Sequence, residues 1–95
     1  MLTRSCEAEV FGAHLRKLRA SRGLTQSQLA DRCRSNVPFI SNLERGVTAP
    51  SLAMLLRLAE ALECGVVDLV EVFDRGARIS PRSRKDWLSV MRSRD

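Results

Sequence analysis

Two short amphipathic stretches separated by a three-residue polar break, Arg34-Ser35-Asn36, constrain this chain more than any other feature. The first stretch opens at Thr25, whose side chain can cap free backbone N–H groups. Gln28, three residues on, completes a T-x-x-Q capping box. Leu29, Ala30 and Cys33 give that helix an apolar face only two turns long. Asn36 is a favourable N-cap for the next helix, over Val37 to Glu44, which turns Ile40 and Leu43 inward and ends at Gly46. Pro38 is tolerated because it lies in the first turn, where its missing N–H breaks no internal bond. The pattern is therefore helix, tight turn, helix.

The flanking sequence supplies more helices. From Glu7 to Arg22, Phe11, Leu15 and Leu18 recur at i, i+4, i+7, ringed by Arg16, Lys17, Arg19 and Arg22, and Gly23 stops the helix. The polar loop from Val47 to Pro50 leads to Ser51, an N-cap for residues 52–62, whose expected core face is Leu52, Leu55, Leu58, Ala59 and Leu62. Gly65 separates a fifth helix over Val66 to Asp74. Ser80-Pro81 is a cap and first-turn pair that predicts a sixth helix over 81–92, carrying Trp87, Leu88 and Met91. The expectation is an all-α protein with a domain over 1–73 and a basic extension over 74–95.

A chain of 95 residues with 44% hydrophobic content has the makings of one small globular domain. No apolar run nears the roughly 18 residues of a membrane span. The segment MLTRSCEAEVFG lacks the apolar stretch of a signal peptide, so the chain is read as cytoplasmic, without a membrane partner. Cys6, Cys33 and Cys64 form no CxxC pair, which argues against disulfides and a zinc site; Cys33 and Cys64 fall on expected core positions. His14 lies beside the core stripe without partners at ligand spacing and is read as structural. There is no nucleophile–His–acid set and no phosphate-cradling glycine loop, so neither enzyme nor cofactor is expected. Charge is segmented. Residues 1–45 hold eight Lys/Arg and four acids, 46–73 one and four, and 74–95 seven and three. Such asymmetry suits a polyanion on the first segment, although solvated surface charge gives the same pattern.

The stretches LTQSQLADRC (24–33), NVPFISNLERG (36–46), PSL (50–52) and LAEAL (58–62) resemble the Cro and phage-repressor family of helix-turn-helix regulators, XRE-like in type. The likeness covers about residues 7–73 and implies a five-helix, lambda-repressor-like fold, here with a sixth helix appended. It also implies that 36–44 enters the DNA major groove while 25–33 lies across the backbone. On that basis Asn42 could pair bidentately with adenine, Val37 and Pro38 could touch a thymine methyl, and Ser41 could bond a base or a phosphate. Gln26, with Ser27 beside it, matches the family's backbone-contacting start of the first helix, where a helix N-terminus also attracts phosphate. Asn36 begins the reading segment, and Arg45 matches positions that grip phosphate. Glu44 matches a glutamate that pairs with a helix-one arginine, here Arg19. Phe39 replaces a small or polar residue, and partial core burial is expected of it rather than DNA contact. Arg34 stands where glycine is usual, in a turn that tends to the left-handed region, and Ser35 replaces an apolar residue.

The fifth helix has more apolar residues than one face can use. Val66, Leu69 and Phe73 share one stripe, whereas Val67 and Val70 share another. With Trp87, Leu88 and Met91 these point to a homodimer interface. The implied function is a dimeric transcriptional regulator, a repressor binding a palindromic operator in double-stranded DNA. The alternative is an antitoxin-like module that also binds a protein partner and autoregulates its operon.

Overall fold

The computed structural model describes residues 6–75, which form α1 (Cys6–Ser21), α2 (Gln26–Arg32), α3 (Val37–Glu44), α4 (Leu52–Ala61) and α5 (Val66–Arg75). Among the described residues there is no strand, as the all-α reading expects. The expected sixth helix, with Trp87, Leu88 and Met91, lies outside the described residues.

Local signals set the helix starts. Thr25 Oγ1 accepts from the Gln28 backbone N–H at 3.0 Å, and the Thr25 N–H donates to Gln28 Oε1 at 2.8 Å, closing the capping box. Asn36 Oδ1 accepts from the Phe39 N–H and Ser51 Oγ from the Met54 N–H. The α5 start is capped from inside the helix, by Asp68 Oδ2 accepting the Gly65 N–H at 2.9 Å.

The helix ends follow one geometry four times over. After α1, α2, α3 and α4 a residue with positive φ reverses the chain: Gly23 (72°), Arg34 (60°), Gly46 (76°) and Glu63 (55°). In each case that residue's N–H reaches back three positions, and the next N–H reaches back five: Leu24 to Arg19, Ser35 to Ala30, Val47 to Asn42 and Cys64 to Ala59. This is the Schellman closure, which satisfies carbonyls left over at a helix end. The left-handed turn expected at Arg34 is thus present, built without glycine. Gly46 is fixed by space as well, because a Cβ there would lie 2.7 Å from the Glu9 Cα.

The core gathers Phe11 and Leu15 of α1, Leu29 and Ala30 of α2, Ile40 and Leu43 of α3, Leu58 of α4 and Leu69 of α5, with Cys33 among them. Helix α1 packs against α3 and α5, and α2 against α3 and α4. Gly12 allows the closest approach, since a Cβ there would sit 2.3 Å from the Leu43 carbonyl oxygen. His14 joins α1 to α5, its Nε2 lying 2.6 Å from the Asp68 carbonyl oxygen.

Two expectations need correction. Leu52 is 71% exposed and does not belong to the α4 core face. Six residues of α-helix rotate it ~120° away from Leu58, and the buried stripe is instead Leu58, Ala59, Ala61 and, just beyond the helix, Leu62. Cys64 is half-buried, unlike the fully enclosed Cys33. Burial pushes both thiols above their ordinary pKa.

Candidate nucleic-acid interface

Helix α3 has two unlike faces. Ile40 and Leu43 are fully buried and Glu44 is 8% exposed, so this side is locked into the protein. On the other side Pro38, Ser41, Asn42 and Arg45 recur at i, i+3, i+4, i+7, a single helical face. Pro38 and Arg45 are exposed, and Ser41 and Asn42 half-buried. Val37, 39% exposed, and exposed Asn36 extend this surface at the helix start. Asn36 also has a structural duty, because its Oδ1 is the α3 cap. Phe39 is half-buried and packs on the core, as expected, and so is removed from the outward face.

Glu44 anchors α3 through a bidentate ion pair. Arg19 Nε donates to Glu44 Oε2 at 2.6 Å and Arg19 Nη2 to Oε1 at 3.2 Å, while Nη1 donates to the Leu24 carbonyl at 2.8 Å. The two side chains are only 15% and 3% exposed. The planar guanidinium suits this task, since its fixed fork matches both carboxylate oxygens and still reaches a backbone acceptor. Three pieces of structure, α1, the turn after it and the end of α3, are pinned at one point.

Gln26 adds a link that the sequence reading missed. As first residue of α2 it was assigned to the DNA backbone, and its amide Nε2 donates to Glu44 Oε1 at 3.0 Å. It therefore joins the two helices of the motif to each other. Gln26 is half-buried, and Ser27 beside it is exposed. The capping signal at Thr25 hints at this arrangement, since it fixes where α2 begins and thus where Gln26 stands. The Glu44 contact itself depends on tertiary approach.

Arg45 and Asn42 are also connected. Arg45 Nη2 donates to Asn42 Oδ1 at 2.6 Å, one helical turn apart. Arg34, in the turn between α2 and α3, is exposed, as is Arg45 at the α3 end. The structure thus presents an outward helix face with amide, hydroxyl, apolar and cationic groups in sequence. Such a face has the chemical variety to meet major-groove donors, acceptors and methyl groups.

Of the residues expected at a subunit interface, Val67 is 72% exposed, whereas Val70 is half-buried and packs toward the core. Leu52 and Leu56, 71% and 54% exposed and one turn apart on α4, form a second apolar pair that the sequence reading did not place outside. Among the described residues no helix is long and apolar enough to cross a membrane.

Residues 15–69 match the helix-turn-helix family. The HTH-type transcriptional regulator DdrOP3 of Deinococcus deserti is 46% identical over 57 residues, which are 60% of this chain and 44% of that protein. The chain thus spans less than half of that relative's length. The competence pilus inhibition repressor of Acinetobacter baylyi is 39% identical over 80 residues, 81% of this chain and 69% of that protein. Among solved structures, the restriction-modification controller protein C.AhdI from Aeromonas hydrophila superposes with a TM-score of 0.67 at 34% identity, over 68% of this chain and 98% of that one.

Proposed function

Because this chain belongs to the helix-turn-helix family of transcriptional regulators, we propose that it is a repressor that binds a palindromic operator as a homodimer. It inserts α3 into the major groove of double-stranded DNA and works by occupancy rather than by catalysis, in the cytoplasm and without a cofactor. The observation that carries this reading is the division of α3: one face fastened by Ile40, Leu43 and Glu44, the other offering Pro38, Ser41, Asn42 and Arg45 outward. A reader must be held rigidly to place side chains against base edges, and the Arg19–Glu44–Gln26 cluster supplies that hold. Ser27 and the start of α2 meet the phosphate backbone, where the helix N-terminus favours an anion. Repression is favoured by the likeness to a relative that is itself named a repressor.

Self-association follows from surface chemistry. Exposed Leu52, Leu56 and Val67 are an apolar expenditure that a lone copy has no use for. With Val70, and with Trp87, Leu88 and Met91 from the extension, they form the surface on which two copies meet. A two-fold dimer reads two half-sites about one helical turn of DNA apart. Selection of bound sequences from random duplexes, combined with sedimentation of the free protein and of the complex, tests the proposal. It predicts enrichment of an inverted repeat and two chains per site. Equal retention of all duplexes, or one chain per site, would count against it.

A further inference from the structure

Between α1, α4, α5 and the loop before α4 lies an open groove of about 160 Å³. Phe11 of α1, Leu55 of α4 and Val70 and Phe73 of α5 line it, Ala49 stands on its loop side and Glu7 is its charged residue. An apolar hollow of about 150 Å³ holds a benzene ring, so this groove has the size that takes an aromatic side chain. Its rim is apolar as well. On α4, Leu52, Leu55 and Leu56 fall at i, i+3, i+4, so the groove's leucine sits beside two exposed ones. On α5, exposed Val67 precedes Val70 by three residues on the same face. The groove is therefore the hollow of a wider apolar patch.

The chain carries one ring of matching kind at a suitable distance. Trp87 is its single tryptophan and belongs to the extension. Phe73 stands two residues before Arg75, where α5 ends, so the extension sets out from the groove's own wall. Residues 76–86 can span up to roughly 40 Å, enough to cross a two-fold contact. We propose that the groove is the seat of Trp87 from a second copy of the chain, and that two such reciprocal insertions fasten the homodimer. The proposal rests on the homodimer reading above. A two-fold contact is self-complementary, so each copy gives one ring and receives one. A second copy held over the groove also brings its own Leu52, Leu56 and Val67 against the same apolar patch, whereas insertion in cis brings none of them. Arg84 and Lys85 precede Trp87 by three and two residues, and Glu7 offers them an opposite charge, which orients the segment more than it tightens it. The indole supplies most of the affinity, as a buried Trp commonly does.

With one tryptophan and no tyrosine, indole fluorescence of the full chain reports on residue 87 alone. Wild-type emission should be blue-shifted and shielded from acrylamide in the dimer. On dilution it should move to that of a solvated indole, in step with the dimer-to-monomer transition in sedimentation. Trp87→Ala should raise the dimer dissociation constant about thirtyfold or more, the size of a hot-spot loss. Ala49 is exposed, so Ala49→Glu spares the core while a longer, charged side chain closes the groove, and its emission should stay that of solvated indole. Leu55→Gln, on another wall of the groove, should act in the same way. The Trp87→Ala chain is silent but keeps its groove, so adding it to the Ala49→Glu chain should restore the blue shift. A wild-type blue shift that persists in the monomer, or no response of either groove variant to the silent chain, would overturn the proposal. So would a solvated Trp87 in a sedimenting dimer, and in that case the homodimer reading stands. A chain that stays monomeric at every concentration, with or without DNA, would refute the homodimer reading itself.

Discussion

Removal of the two partners of the Arg19–Glu44 pair should have unequal effects, and the inequality can be worked from their surroundings. Arg19→Met takes away two of the three side-chain donors that meet the Glu44 carboxylate and leaves Gln26 Nε2 alone with it. Glu44 is 3% exposed along its side chain, so water cannot replace what is lost. A buried charge deprived of its partner costs about 3–5 kcal/mol. Glu44→Gln leaves Arg19, which is 15% exposed and still holds the Leu24 carbonyl. Its cost should be nearer a buried hydrogen-bond defect, about 1–3 kcal/mol. In a domain with roughly 5–15 kcal/mol of stability, the first variant is close to the limit of folding and the second is not. The double variant should cost less than the sum, with a coupling of about 1–3 kcal/mol. Urea denaturation at neutral pH reads this directly. With a slope of about 1–3 kcal/mol per molar, Arg19→Met should lower the midpoint by about 2 M. Losses below about 1 kcal/mol that add without coupling would refute the reasoning, because they are what a solvated surface pair gives.

Other expectations can be checked on the same material. Gly12→Ala places a methyl against the Leu43 carbonyl, and chemical denaturation should show a loss of about 1–3 kcal/mol or more. Arg34→Gly and Glu63→Gly relieve left-handed side-chain residues and should raise thermal stability by up to about 1 kcal/mol each, the relief being partly offset by chain entropy. The Cys33 and Cys64 pKa values are raised by burial, so the unfolded chain loses its thiol protons first as pH rises. Stability should therefore be intact below the ordinary thiol range and decline above it, and replacing both cysteines by alanine should remove that alkaline decline. Truncation after Asp74 should leave the five-helix domain folded by circular dichroism and weaken self-association in sedimentation, with Trp87→Ala acting in the same direction and sparing the salt slope of DNA binding.

Most of the fold is legible because each element carries its own start and stop. Thr25, Asn36 and Ser51 cap where their side-chain chemistry says they should. The left-handed turn at Arg34 was anticipated from the place of the residue in the motif and not from its type. Glu63 went unnoticed because nothing about glutamate signals positive φ; the reversal there is imposed by the need to bring α5 back onto the core. Leu52 was misplaced because apolar residues along α4 satisfy more than one stripe, and only packing against α2 and α5 selects between them. Gly12 carries no local signal either, since its purpose is visible only when α3 lies across it. At the candidate site, the ends of contacts were readable and their partners were not. Gln26 and Asn42 were both assigned to DNA by position, whereas their links to Glu44 and Arg45 depend on side-chain geometry.

Those links bear on how mutational data on this motif should be read. Glu44 accepts from Arg19 and from Gln26 at once, so α2, proposed to cross the DNA backbone, and α3, proposed to read bases, share one acceptor. Displacing that carboxylate loosens both helices together. Affinity losses in Glu44 or Arg19 variants would therefore mix weaker phosphate contact with poorer base alignment, without either residue touching DNA. The Asn42 and Arg45 side chains stand apart from this cluster on the opposite side of α3, joined to each other. Changes to them should alter which sequence is chosen while leaving the melting temperature nearly fixed. On the proposed reading, stability and specificity fall on opposite sides of α3 and its C-cap Arg45, and the two groups of variants should separate when melting temperature is plotted against base preference.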